Sequence, residues 1–251
     1  MVKKISPTEK PSLSHMSIDK ISLTEALNIM IESQKESIIA VKNSIPKLNE
    51  IIDKIYLHLS SFKKGRLIYV GAGTSGRIAV QDGAELYPTF GWPRDKFDFM
   101  IAGDEPAMIR SIEGAEDNVK NAKKIVSEKN ISSPDVIIAL SASGNTPFTY
   151  TVVKESKFLG ALTISLVNNP YAKMLEYSDF DVILDTGSEV VTGSTRLKAG
   201  TAQKVCLNII STMLMVKMGK VFDGEMINMV ATNKKLIKRK QRIQSKLSNK
   251  E

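Results

Sequence analysis

Arg66-Leu67-Ile68-Tyr69-Val70-Gly71-Ala72-Gly73-Thr74-Ser75-Gly76-Arg77 is the stretch on which the reading of this chain turns, with Asp82-Gly83-Ala84-Glu85 close behind it. A short apolar run of this kind reads as a buried parallel strand, and a helical pattern follows the Gly/Thr/Ser turn. Such a turn suits an anion. Glycine lets backbone approach the ligand, the hydroxyls of Thr74 and Ser75 donate hydrogen bonds, and free N–H groups at the next helix start favour negative charge. Phosphate binding alone has no need of a carboxylate at Glu85, so acid–base chemistry is expected beside the anion site.

Working outward, the strand candidates Leu67–Val70, Phe97–Ala102, Val136–Leu140, Leu162–Val167 and Val182–Leu184 alternate with helical patterns. Those patterns fall at about Gly76–Tyr87, Pro106–Glu128, Pro147–Phe158, Tyr171–Glu176 and Arg196–Met218. Short buried strands alternating with helices predict an α/β doubly wound parallel sheet. Ser22-Leu23-Thr24-Glu25 has capping-box spacing and predicts a helix start. A second helix from about Lys47 carries Leu48, Ile51, Ile52, Ile55 and Leu59 on one face. These two helices need a surface to cover, either their own sheet or a partner subunit. The expected organisation is an extended arm over 1–20, N-terminal helices over 21–62, the doubly wound sheet domain over 63–222 and a basic C-terminal helix over 223–251.

A chain of 251 residues that is 42% hydrophobic and 25% charged is an ordinary globular composition. No apolar run reaches the roughly 18 residues of a spanning helix, and the start of the chain lacks the apolar region of a secretory signal. One cysteine, Cys206, fits a reducing compartment. These features predict a cytoplasmic protein without membrane contact. The net charge of +8 is concentrated between Lys234 and Glu251, where eight Lys/Arg face one acid. Both a solvated helix end and a polyanion contact fit this run, but without interleaved aromatics it does not favour nucleic acid.

Two further turns resemble the first in composition. One is Ser141-Ala142-Ser143-Gly144-Asn145-Thr146-Pro147, with Pro147 suited to a first helical turn. The other is Glu189-Val190-Val191-Thr192-Gly193-Ser194-Thr195-Arg196-Leu197-Lys198-Ala199-Gly200-Thr201. Any one of them could simply cap a helix. In an open parallel sheet, however, all three would gather beyond the carboxyl ends of the strands, where ligands bind. Gly71, Gly73 and Gly76 also give G-x-G-x-x-G, a dinucleotide fingerprint. The acid that fingerprint expects about 20 residues later falls nearer 30 residues on, at Asp104. Three Ser/Thr turns suit a sugar phosphate better than a pyrophosphate. The two histidines, His15 and His58, are far in sequence from the turns, and no metal-ligand cluster is evident. Carboxylates therefore remain for acid–base work: Glu85, and Glu113 or Glu116 in Glu113-Gly114-Ala115-Glu116-Asp117. Spacing alone does not bring them together.

Taken together, Gly65–Arg77, Pro88-Thr89-Phe90-Gly91, Glu113–Asp117, Glu189–Lys204 and Ala231–Leu236 resemble the N-acetylmuramic acid 6-phosphate etherases. These belong to the sugar isomerase (SIS) class, whose sheet is flavodoxin-like. The resemblance runs from about Ile18 to Ile243. It implies a lyase that removes D-lactate from the sugar during cell-wall recycling, with Glu85 as catalytic acid and Glu116 as base. It implies no metal or redox cofactor, and a homodimer whose site is completed across the interface. Gly73, Thr74, Ser75, Ser141, Ser143, Gly144, Asn145 and Thr146 would hold the phosphorylated amino sugar, joined by Glu189, Ser194 and Lys198. Two other functions fit the same fold: a non-catalytic sensor resembling the glucokinase regulatory protein, and an aldose–ketose phosphosugar isomerase. One departure stands out. Where the family usually reads Asp-Ala-x-Glu-Cys-Pro-Pro-Thr, this chain has Asp82-Gly83-Ala84-Glu85-Leu86-Tyr87-Pro88-Thr89. Gly83 is expected to weaken its helix by up to about 1 kcal/mol relative to Ala.

Overall fold

Five parallel strands in the order β2-β1-β3-β4-β5 form the centre of the computed structural model, which describes residues 6–11, 17–231 and 234–248. The strands are β1 (Leu67–Gly71), β2 (Phe97–Ile101), β3 (Val136–Ser141), β4 (Leu162–Val167) and β5 (Phe180–Ile183). Each strand exposes alternate side chains to opposite faces. Leu67, Tyr69, Ile138 and Leu166 join one buried cluster, while Ile68, Val70, Ile137 and Ala139 join the other. Both faces are covered, which is why the strands read as unbroken apolar runs.

On the first face lie α2 (Ile45–Ser61), α3 (Gly73–Ala84) and α7 (Lys198–Lys217). On the second lie α5 (Val119–Glu128) and α6 (Pro147–Phe158). The predicted apolar face of the second helix, from Leu48 to Leu59, is fully buried against the sheet. The preceding helix, α1 (Leu23–Asn43), starts with the expected capping box between Ser22 and Glu25 and lies on α7. It buries Ala40 and Val41 but leaves Leu23, Leu27, Ile31 and Ile38 more than half exposed.

Three helical expectations are corrected. The pattern over Pro106–Glu128 does not form one helix. It breaks into single 3₁₀ turns at Glu105–Met108 and Ala115–Asp117 before α5, because Gly114 is left-handed at φ +67°. Tyr171–Glu176 is a single 3₁₀ turn at Lys173–Glu176. Gly76–Tyr87 is two helices: α3 starts three residues earlier, and α4 (Leu86–Phe90) follows a junction at Glu85. Among the described residues of the arm, only the turns Pro7–Glu9 and Ile18–Lys20 are helical, and His15 lies outside the described residues. The basic helix α8 (Lys234–Ser248) follows a small hairpin of β6 (Val221–Phe222) and β7 (Glu225–Met226). It buries Ile243 and reaches Glu225 on the hairpin with Lys246, at 2.8 Å. No described helix is long and apolar enough to cross a membrane.

Gly83 has a packing reason that propensity conceals. A Cβ at this position would lie 1.8 Å from Cζ of Phe97. The ring of Phe97 occupies the space an alanine methyl would need, and it packs edge-on against Tyr69. Gly83→Ala is therefore expected to lower stability by about 1–3 kcal/mol, despite its better helix propensity. Chemical denaturation should show part of that loss recovered in Gly83→Ala/Phe97→Leu. A single Gly83→Ala as stable as the parent would contradict this packing account.

Candidate active site

The chain reverses direction across the sheet between β1 and β3, since β2 lies on one side of β1 and β3 on the other. Loops leaving the carboxyl ends of those two strands diverge and open a crevice, which is where open α/β sheets bind ligands. The first predicted turn leaves β1 there and enters α3 at Gly73 with φ +53°. Its N-cap, Ala72, offers no side-chain oxygen, so the first N–H groups of α3 stay available to an anion. The hydroxyls of Thr74 and Ser75 lie on this first turn.

The second turn leaves β3 and enters α6. Ser141 Oγ accepts the Gly144 N–H at 3.0 Å and lies 3.1 Å from Thr146 Oγ1. Ser143 Oγ accepts from Asn145 N at 3.2 Å. Asn145 in turn accepts the Lys173 N–H at 2.9 Å, so its side-chain oxygen is committed within the loop. The turn is thus built before any ligand arrives, with a second uncapped helix N-terminus behind Thr146.

The third turn comes alongside the first at α7. A Cβ on Gly200 would stand 3.5 Å from Thr74 Cγ2. Glu189 and Lys198, both expected to contact substrate, are committed here to protein partners. Glu189 is fully buried and accepts the N–H groups of Lys198 and Ala199 at 3.2 and 3.0 Å, closing the start of α7. Burial pushes its carboxyl above the usual glutamate range, an effect those two N–H groups oppose. The buried side chain of Lys198 pairs with Glu36 on α1, and Ser37 donates to the Lys198 carbonyl at 2.8 Å. Ser194 is half-buried in the loop just before α7. Asn168, which sequence reasoning missed, ties the second and third turns together. Its N–H donates to Ala142 O at 3.0 Å, its side-chain nitrogen to Leu184 O at 2.9 Å, and its side-chain oxygen accepts from Gln203 at 3.0 Å.

Glu116 stands on the 3₁₀ turn that packs on α6, and lines a cavity of about 310 Å³ with Gly73, Arg77, Ala107 and Glu113. Arg77 donates from Nε to Ala107 O at 2.9 Å. The turn carrying Ala107 begins after Asp104, whose φ of +55° and ψ of −158° belong to a region nearly reserved for glycine. Such a conformation costs on the order of 1–3 kcal/mol and clusters at functional sites.

Glu85 is elsewhere. The 12 residues of α3, at about 1.5 Å each, carry it roughly 18 Å from the end of the helix that touches the cavity. It is exposed at the α3–α4 junction. The altered residues after it have settled places: Leu86 is buried, and Tyr87 lies under the Arg94 guanidinium at 4.0 Å. Just before it, Asp82 is buried and accepts from Tyr69 Oη and Ser211 Oγ, each at 3.1 Å, and from Asn208. This network fixes the far end of α3 to β1 and α7. One chain therefore holds the two glutamates at opposite ends of a helix.

A sheet of this order, with hydroxyl-bearing turns at its crevice, defines a flavodoxin-like doubly wound α/β protein. A family model described as the glucokinase regulatory protein N-terminal SIS domain matches residues 50–156. N-acetylmuramic acid 6-phosphate etherase from Deinococcus radiodurans is 41% identical over 236 residues, covering 94% of this chain and 77% of its own. The Staphylococcus aureus USA300 etherase is 43% identical over 239 residues, covering 95% and 79%. The chain belongs to the N-acetylmuramic acid 6-phosphate etherase family. Among solved structures, a phosphoheptose isomerase from Francisella tularensis shares the fold at TM-score 0.59 and 16% identity, covering 80% of this chain and all of that one. An E. coli CFT073 protein, solved as a ligand complex, does so at 0.56 and 18%, covering 81% and 97%.

The Asp82 network has a pH signature. Burial pushes the Asp82 carboxyl above the usual aspartate range, against the hydrogen bonds of Asn208, Ser211 and Tyr69. A raised folded value means the fold favours the protonated form. That contribution is complete below about 3.9, the ordinary aspartate pKa, and is lost as pH rises through the folded value. The melting temperature of the parent minus that of Asp82→Asn should therefore fall between pH 4 and neutrality. A difference independent of pH would refute the assignment.

Proposed function

We propose that the chain cleaves the D-lactyl ether of N-acetylmuramic acid 6-phosphate, giving D-lactate and N-acetylglucosamine 6-phosphate. The observation that carries this reading is Glu116, the last glutamate of Glu113–Asp117, standing in a cavity that begins at the phosphate-type turn of Gly73. Family membership supports it. The phosphate rests on the hydroxyls and helix N-termini of the β1 and β3 turns. In the open-chain sugar the aldehyde acidifies the carbon 2 proton, which Glu116 removes as general base. The carbon 3–oxygen bond breaks, and a protonated Glu85 gives its proton to the departing lactate oxygen. Water then adds across the carbon 2–carbon 3 double bond, its hydroxyl joining carbon 3 and a proton returning to carbon 2. The free, buried Cys206, its thiol pushed up to about 12 by burial, suits a reducing cytoplasm.

The separation of the glutamates calls for a second copy. We place Glu85 in the cavity of a partner subunit, where it meets the partner's base. Its exposure supports this, as does the apolar seam of Leu23, Leu27, Ile31 and Ile38 on α1. A two-fold dimer would use each exposed surface twice.

Purified protein given N-acetylmuramic acid 6-phosphate should release D-lactate. A folded protein that binds this substrate and releases none would be a sensor, and conversion to a ketose without lactate would be isomerase activity. Glu116→Gln should abolish carbon 2 proton exchange while phosphate-dependent binding survives. The dimer arrangement makes a separate demand. Glu85→Gln and Glu116→Gln should each be inactive alone, yet refolding them together should restore about a quarter of parental activity, because half the random dimers regain one intact site. If both glutamates served one chain, mixing would restore nothing.

A further inference from the structure

Arg77 stands one helical turn after Gly73 and reaches the same cavity as Glu116. Among the described residues it is the only basic side chain lining that cavity, where it faces Glu113 and Glu116. Its single hydrogen bond among the described residues runs from Nε to Ala107 O, at 2.9 Å. That bond fixes the plane of the guanidinium and leaves both terminal nitrogens to a ligand. Two parallel N–H donors in a fixed plane match a carboxylate.

The substrate of the proposed reaction carries two anionic groups. The phosphate on carbon 6 has its donors at the β1/β3 crevice, on hydroxyls and helix N-termini. The cavity with Arg77 lies on the β2 side of β1, as its contacts with Ala102 and Ala107 show. Glu116, assigned to carbon 2, shares that side. The ether oxygen is on carbon 3, and the lactyl carboxylate is two bonds further out. A sugar with its phosphate in the crevice and carbon 2 at Glu116 therefore brings its second anion toward Arg77. Two glutamates lining the cavity would otherwise repel it.

We propose that Arg77 binds the carboxylate of the lactyl group through its two terminal nitrogens, and so selects the ether-bearing sugar over the same sugar without it. The assignment rests on the etherase reading. It gives Arg77 two tasks: orienting the ether for cleavage and holding the departing lactate. The strained turn after Asp104 keeps the Ala107 carbonyl in place for this tether.

The test compares two ligands that share the phosphate and differ in the lactyl group. Binding of N-acetylmuramic acid 6-phosphate and N-acetylglucosamine 6-phosphate is measured by calorimetry in a Glu116→Gln background, where the first is not consumed. Adding Arg77→Met should weaken the muramic compound about 10- to 100-fold and change the glucosamine compound less than about twofold. Arg77→Lys, which keeps the charge but not the fork, should fall between. The same preference should appear as a raised KM for the parent bearing Arg77→Lys, which also serves if the methionine variant does not fold. Equal weakening of both ligands would assign Arg77 to the phosphate and overturn the proposal, as would no change in either. D-lactate release by the parent separates the two layers. Lactate with an unchanged affinity ratio sinks only the role of Arg77, whereas no lactate sinks the etherase reading and this role with it.

Discussion

At Gly71 and Gly76 the backbones of β1 and α3 come so near that a methyl group on either would overlap its neighbour. A Cβ on Gly71 would stand 2.7 Å from Gly76 N, and one on Gly76 would stand 3.0 Å from Gly71 C and 2.7 Å from the Ile101 side chain of β2. The close approach lays the first turn of α3 directly over the end of β1, so its free N–H groups face the crevice. It also fixes where the rest of α3 goes. Tyr69, fully buried on the same strand, donates to Asp82 near the far end of the helix, and Asn208 and Ser211 reach Asp82 from α7. Burial together with the Asp82 charge holds the Tyr69 hydroxyl well above its ordinary pKa, so it remains a donor. Pinned at both ends, α3 is a rigid spacer between the β1 turn and an exposed glutamate.

The spacer explains why Glu85 and Glu116 could not be placed relative to each other from spacing alone. In sequence Glu85 is only 12 positions from Gly73, which suggests proximity. A helix turns those positions into roughly 18 Å of length, and the glutamate emerges at the wrong end for its own cavity. Glu116 travels the other way: 31 positions beyond Glu85, it returns through β2 and the broken segment after it to the start of α3. In the proposed two-fold dimer, a spacer that removes Glu85 from one cavity would deliver it to another. The α1 seam is apolar on the outside for a consistent reason. Unlike α2, whose apolar face the sheet consumes, α1 lies one layer further out on α7 and has only part of its apolar surface covered.

What could be read from the sequence follows from which interactions are local. The five strands, the capping box at Ser22 and the three turns announce themselves through periodicity and side-chain chemistry within a few residues. The breaks over Pro106–Glu128 do not, since apolar residues at helical spacing there serve a loop held by Gly114 and by the strained Asp104. Glu189 and Lys198 had the right chemistry for a ligand, yet the start of α7 and Glu36 of α1 claim them. Both partners are non-local. Gly83 misled for a similar reason: its cost is a helix propensity, readable in place, while its cause is the Phe97 ring 14 positions away. Arg77 carried one usable signal, its position a single turn after Gly73. Without the cavity, though, that spacing is equally that of a solvated surface arginine.

The SIS framework by itself does not decide the reaction. Chains 16–18% identical to this one share its fold, and a family model named for a regulatory protein matches its central segment. In this chain the framework supplies a crevice with two uncapped helix N-termini and a set of hydroxyls. Such groups suit a phosphate and are indifferent to what happens elsewhere on a ligand. Chemistry must come from groups placed several ångströms away, where the carbon chain extends from its anchored end. In this chain, the side of the crevice beyond β1 carries a carboxylate on a short turn and an arginine on a fixed helix. A base alone at that place would suffice for shifting a proton between carbons 1 and 2, as an isomerase requires. A positively charged fork beside the base adds nothing to that shift, because an isomerase substrate carries no second anion near carbon 3. The pairing of Glu116 with Arg77 is therefore better matched to a sugar bearing a carboxylate next to the bond that breaks.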